Sequence, residues 1–175
     1  MSFRTSREAI SALSDPFGTV LRCVTPAYVD VRSPAKQPTG SLALNLGVPV
    51  RLHAQLPIFL SARMFYRLEQ HERLWQAGTS AYWYSLHDER HEIFAYHWHP
   101  EQTPNVTFPH LHLEAGAGVQ RAELTRAHLP TGGVTLAAFL RMAIRDFGVE
   151  PRRNDWQNVL EYNEAEPATM GDTQQ

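Results

Sequence analysis

Four histidines in two H-x-H pairs are the residues of this chain best able to carry out chemistry: His97, His99, His110 and His112. Imidazole titrates close to neutral pH, so two facing histidines can divide the roles of general base and general acid. Neutral imidazole is also a good ligand for zinc and similar metals. The two pairs therefore allow either acid–base catalysis or metal binding.

Each histidine pair lies in a segment that alternates between apolar and polar residues, which is typical of a β-strand. The alternation places the apolar residues on the side away from the histidines: Phe94, Tyr96, Trp98, Leu111 and Leu113. Antiparallel pairing is predicted to bring His97 opposite His112 and His99 opposite His110. Glu114 follows on the same side, which we call the histidine face. The alternative interpretation is a solvated sheet face without chemistry.

An aromatic hairpin and a strong helix are predicted around these strands. Residues 81–86 and 92–99 form the hairpin, and residues 87–91 form its turn. The turn length decides whether Trp83, or Tyr82 with Tyr84, joins the histidine face. The helix begins after Thr135 as N-cap and stops at Gly148, with an apolar stripe between them.

The remaining elements complete an α+β pattern. Thr5 begins a capping box and a helix predicted to end near Pro16. One or two strands are predicted between Thr19 and Val31, and residues 58–68 are also predicted as a strand, although a helix fits their pattern. A short helix over 155–162 precedes a flexible polar tail over 163–175. We therefore expect one α+β domain over residues 1–162, a largely antiparallel sheet with helices packed on one face.

Composition restricts the class of protein. A chain of 175 residues with 43% hydrophobic and 19% charged residues is typical of a globular domain. The net charge of −2 gives no general attraction for nucleic acid. No apolar run approaches the ~20 residues of a membrane helix. The N-terminus lacks a secretory signal, so a cytoplasmic protein is expected.

Two arginines on the predicted C-terminal helix, Arg141 and Arg145, lie one helical turn apart. A single guanidinium group can donate two hydrogen bonds at once to the oxygens of a phosphate. If this helix packs beside the histidine face, the two arginines would hold a phosphate group there. A solvated helix face is the alternative interpretation.

The order of elements over roughly residues 78–149 carries a family resemblance. The aromatic hairpin segments Tyr82-Trp83-Tyr84 and Phe94-Ala95-Tyr96 precede His110-Leu111-His112, and a helix ending in Asp146-Phe147 follows. This pattern resembles the TumE-type toxins of bacterial toxin–antitoxin modules. The resemblance implies a cytosolic bacterial α+β protein that acts on nucleic acid and is held by an antitoxin partner.

Three hypotheses about function follow. In the leading one, His97, His99, His110 and His112 are catalytic and cleave RNA or another phosphodiester without a cofactor. In the second, the same histidines and Glu114 bind a divalent metal such as zinc. The third is a non-catalytic, partner-binding protein whose surface includes aromatic residues: Tyr82, Trp83, Tyr84 and Trp98. The sequence leaves the oligomeric state open.

Overall fold

A computed structural model of the chain describes residues 1–33, 37–101, 106–118, 124 and 126–164. It shows the α+β fold expected from the sequence, with helices packed on an antiparallel sheet. The helices are α1 (Ser6–Leu21), α2 (Leu136–Asp146) and α3 (Trp156–Glu164). The strands are β1 (Val29–Arg32), β2 (Thr39–Leu44), β3 (Val50–Arg51), β4 (Phe59–His71), β5 (Leu74–His87), β6 (Glu92–Trp98), β7 (His110–Leu113) and β8 (Leu129–Pro130).

Over the described residues, the sheet has eight strands: seven in the order β1-β2-β4-β5-β6-β7-β8, and the short β3, which also pairs with β4. A long hairpin of β4 and β5 forms its centre. Residues 58–68, predicted as a strand, fall largely in β4, which confirms that choice over a helix. Because β6 pairs with β5 and β7 pairs with β6, the two histidine pairs lie on adjacent strands, with His99 directly after the end of β6.

The hydrophobic core lies between the helices and one face of the sheet. Phe139 of α2 contacts three sheet aromatics, with ring centroids 5.9 Å from Tyr84, 5.9 Å from Phe94 and 6.1 Å from Tyr96. Leu111 and Leu113 pack against the same core. The prediction that the apolar residues of β6 and β7 face the helices is therefore confirmed. Burial of these large side chains fixes which face is left for the histidines.

The first helix extends further than the sequence predicted. Its capping box is present, with the hydroxyl of Thr5 accepting from the backbone N–H of Glu8 at 3.2 Å. However, α1 continues through Pro16 to Leu21, so the strand predicted from Thr19 is wrong at its start, and β1 begins only at Val29. Proline destabilises a helix interior. Here the last turns are buried in the core, and tertiary packing outweighs that local preference.

The C-terminal elements begin largely as predicted. The hydroxyl of Thr135 accepts from the N–H of Ala138 at 3.1 Å, and Gly148 takes a left-handed conformation after α2. Helix α3 runs to Glu164, so the first two residues of the predicted flexible tail are helical. Residues 165–175 of that tail lie outside the described residues. Within the described part of the chain, no helix has the length and apolar character to cross a membrane.

Candidate functional site

The register of β6 and β7 differs from the predicted one. His97 lies opposite His110, and Ala95 lies opposite His112, so the predicted pairings of His97 with His112 and of His99 with His110 are wrong. Side chains alternate with period two along a strand. A register shift of two residues therefore leaves each apolar side chain on the same face, and the hydrophobic pattern cannot distinguish the two pairings.

The four predicted histidines nevertheless lie together on the face opposite the helices. The ring of His112 lies 4.9 Å from that of His97 and 4.9 Å from that of His110, and His99 lies 5.3 Å from His110. A fifth histidine, His128, joins them, 4.5 Å from His112 and 5.0 Å from His110. The small Ala95 opposite His112 leaves room for these rings on the histidine face.

His128 was missed by the sequence analysis because no local repeat connects it to the other histidines. It directly precedes β8, the edge strand in which Leu129 pairs with Leu111 of β7. Since neighbouring residues point to opposite faces, His128 turns towards the histidine face. The polar-then-apolar order of His128 and Leu129 could have indicated that His128 faces the other histidines. A strand of two residues is too short, however, to predict its register.

Two buried ring nitrogens in the cluster lack a hydrogen-bond partner among the described residues. His110 has no exposed surface, and its Nδ1 donates to the carbonyl of Phe108 at 2.9 Å. Its Nε2 is therefore an acceptor, and it is buried without a partner, as is the Nε2 of the 7% exposed His97. A buried polar atom left unpaired costs ~1–3 kcal/mol and needs an explanation.

Three histidines of the cluster, His97, His110 and His112, have a lowered pKa that favours the neutral state. Burial lowers the pKa of His97 to about 3, and the neighbouring imidazoles lower it as well, His112 most. Burial and the same kind of repulsion, led by His110, lower the pKa of His112 to about 4. Burial also lowers the pKa of His110, against the opposing effect of its hydrogen bond to Phe108. Neutral imidazole is the form that binds a metal ion.

Among the residues that the structure describes, two sets of three histidines could each hold a metal ion. In the first, ring nitrogens of His97, His99 and His110 lie within 4.8 Å of one another, and in the second those of His110, His112 and His128 do. Both sets include His110, which has one available lone pair because its Nδ1 is protonated and bonded to Phe108. The two sets are therefore alternative positions for a single ion.

Neither set includes Glu114, which the sequence predicted as a further ligand. Burial raises the pKa of the Glu114 carboxyl, and the nearby carboxylate of Glu92 raises it further. Glu92 in turn lies 3.6 Å from the Nε2 of His87, which is 2.8 Å from the hydroxyl of Ser85. Glu114 thus lies near the polar group of Glu92, His87 and Ser85 and is not part of either three-histidine set.

The predicted phosphate-binding arginines lie on the other side of the sheet. Both are on α2, which packs against the face opposite the histidines. Arg141 forms an ion pair with Glu164 of α3 at 2.6 Å, and Arg145 is exposed. A phosphate site shared by the arginines and the histidines would need α2 to lie beside the histidine face. It does not lie there, because its apolar stripe covers the core on the other face.

Among the aromatic residues of β5, Trp83 is the one that lies beside the histidines. It pairs with His97 in the sheet, and their ring centroids are 3.9 Å apart. Its side chain is 45% exposed. Tyr82 and Tyr84 point the other way and are buried beneath the helices, so they cannot form the partner surface suggested for them. The histidine cluster therefore has an exposed aromatic neighbour.

The comparisons with known proteins assign no family to the chain. No protein-family model, no curated protein and no solved structure matches it. The chemistry of the site is therefore inferred from its donor atoms, its burial and its geometry.

Proposed function

We propose that the histidine cluster binds one divalent transition-metal ion, zinc being the best candidate, through His97, His99 and His110. The observation that carries this proposal is the pair of buried, unpaired Nε2 atoms on His97 and His110, which belong to the same three-histidine set. A metal ion would satisfy both atoms. Imidazole nitrogen is a preferred ligand of zinc, copper, nickel and iron, and three histidines make a familiar zinc donor set.

Three further features support a metal site. The hydrogen bond from His110 Nδ1 to the Phe108 carbonyl is the outer contact that metal-binding histidines usually make, because it fixes the ring and its tautomer. The lowered pKa values of His97 and His110 reduce competition from protons for these two ligands at neutral pH. Three protein ligands leave a coordination position for water or substrate. A metal bound in this way would lower the pKa of a coordinated water to ~7 and polarise a substrate oxygen.

Cleavage of RNA or another phosphodiester is a second candidate function. It is favoured by the position of His99, His112 and His128, which are partly or fully exposed and open one side of the cluster to solvent. A metal-free division of acid and base roles is less favoured, since a general acid must be protonated at the working pH and burial keeps His97 neutral. The cytoplasmic location and antitoxin partner implied by the TumE resemblance belong to this candidate.

Metal content and zinc affinity of the untagged protein test the proposal. Protein purified without chelator is expected to carry about one equivalent of zinc or a similar metal per chain by elemental analysis. After chelator treatment, calorimetric titration with zinc should give a single site. Absence of bound metal together with no zinc binding in the titration would contradict the proposal.

A matched pair of variants distinguishes the two possible positions of the ion. His99→Ala removes a ligand of the proposed set, whereas His128→Ala removes a ligand of the other. Neither side chain is fully buried, so both variants should fold. We expect His99→Ala to weaken zinc binding by about 100-fold or more, since losing even an outer contact of a ligand costs ~10–100-fold. His128→Ala should have a small effect, and the reverse result would place the ion in the other set.

A further inference from the structure

The histidine face carries an exposed aromatic surface next to the proposed metal ligands. The Trp83 ring contacts the His97 ring at a tilted angle of 48°, and Trp83 is nearly half exposed to solvent. Tryptophan is usually well buried because of its large apolar area. A tryptophan left exposed directly beside a candidate metal ligand indicates a surface on which a flat ligand group can stack.

A cationic residue, Arg63, is the cross-strand partner of this tryptophan, so the two side chains leave the same face of the sheet. Arg63 of β4 pairs with Trp83 in the sheet, is exposed, and forms no ion pair with any described residue. Its guanidinium packs over Gly47, where an added Cβ would lie 2.2 Å from the Arg63 Nη2. The φ of +89° at Gly47 favours glycine there, whereas the overlap with Arg63 could be relieved by movement of its flexible, exposed side chain.

Arg63, Trp83, His97 and His110 are successive partners across four neighbouring strands. Because adjacent strands are ~4.8 Å apart, the backbone of Arg63 lies about 10 Å from that of His97. A cation, an exposed aromatic ring and two candidate metal ligands therefore follow one another in a short row. A ligand a few atoms longer than its ring could contact Arg63 and Trp83 together and extend towards a metal ion held by the histidines.

A cleft runs alongside this row. It has a volume of about 330 Å³ and is lined by Phe65, Ala81, His99 and Glu101 among others. Phe65 and Ala81 each lie two residues from a member of the row, on the same face. The volume is within the ~300–1,000 Å³ range of small-ligand sites. Since His99 is both a cleft residue and a proposed metal ligand, a bound molecule could extend from the cleft to the metal.

We propose that Trp83 and Arg63 form a binding subsite for a nucleotide, with the base stacked on Trp83 and a phosphate held by Arg63. This inference rests on the proposed metal site, because it names the class of ligand presented to that metal. Base–aromatic stacking accepts any base. The planar guanidinium suits phosphate oxygens. The nucleotide is either free or part of a single strand, since an open row on a sheet face admits both.

Binding titrations with AMP, adenosine, inorganic phosphate and a short single-stranded oligoadenylate test this subsite. We expect AMP to bind more tightly than either adenosine or phosphate alone, because base and phosphate are both contacted. A tighter complex with the oligoadenylate would indicate a nucleic-acid strand as the ligand, and equal binding would indicate the free nucleotide. AMP binding no tighter than inorganic phosphate would overturn the proposal.

Variants locate the binding and separate it from the metal proposal. Trp83→Ala is expected to weaken AMP binding by about tenfold or more, and Trp83→Phe should restore part of it. Arg63→Gln should reduce the salt dependence of AMP binding, whereas Arg145→Gln, on the opposite side of the sheet, should not change it.

Each titration is done on zinc-loaded and on chelator-treated protein. Zinc binding without AMP binding refutes the subsite alone, whereas AMP binding that depends on Trp83 without zinc binding refutes the metal site alone. Unchanged AMP affinity in Trp83→Ala would also refute the subsite.

Discussion

Mild acid is expected to destabilise the metal-free protein through two histidines of the cluster, His97 and His112. Burial lowers the pKa of His97 to about 3 and that of His112 to about 4 in the folded protein. In the unfolded chain, histidine takes up a proton near pH ~6.5. The unfolded state therefore binds more protons below that pH. The stabilising contribution of the neutral histidines is complete above pH ~6.5 and is lost as the pH falls towards the folded-state values.

The size of the effect follows from the pKa differences. Each pH unit below ~6.5 costs ~1.4 kcal/mol for a histidine that stays neutral in the folded state. At pH ~5, His97 alone should lower the free energy of unfolding by about 2 kcal/mol. His112 is partly exposed, so solvent screening reduces its share to about 1 kcal/mol. A total of about 3 kcal/mol is a large part of a typical domain stability of ~5–15 kcal/mol.

Urea unfolding in the presence of EDTA, at several pH values between about 5 and about 7.5, measures this dependence. His97→Gln should reduce the pH dependence of the unfolding free energy, because the titrating group is removed. His71→Gln is the matched control, since His71 is exposed at the end of β4 and far along the chain from the cluster. A pH profile of His97→Gln parallel to that of the wild type would refute this explanation.

Two further predictions concern the elements that position the site. Phe139→Ala should lower the unfolding free energy by about 3–5 kcal/mol, because it leaves a cavity among Tyr84, Phe94 and Tyr96. Urea titrations measure this loss, and a value below about 1 kcal/mol would contradict the packing of α2 on the sheet. Thr135→Ala should cost about 1 kcal/mol by removing the N-cap of α2, whereas Thr135→Ser should keep most of the stability, and equal losses in both variants would argue against the cap.

The sequence by itself determined the features that depend on neighbouring residues. Alternation along β6 and β7 identified which side chains face the helices and which carry the histidines. The cap at Thr135 and the left-handed Gly148 bounded α2. Turn and cap chemistry act over a few residues, and the two-residue period of a strand is visible in the sequence. The α+β class and the common face of the four histidines were therefore predictable.

Only the tertiary structure decided which residues meet across the sheet. The pairing of His97 with His110 preserves the same hydrophobic pattern as the predicted pairing, so the sequence could not choose between them. His128 reaches the cluster through the pairing of the short β8 with β7, and Trp83 reaches it through the register of β5 and β6. Arg141 is carried to the opposite side because its helix must cover the core. Contacts between residues distant in sequence leave no local pattern, and the strand pairing that creates them is fixed by the packing of the whole domain.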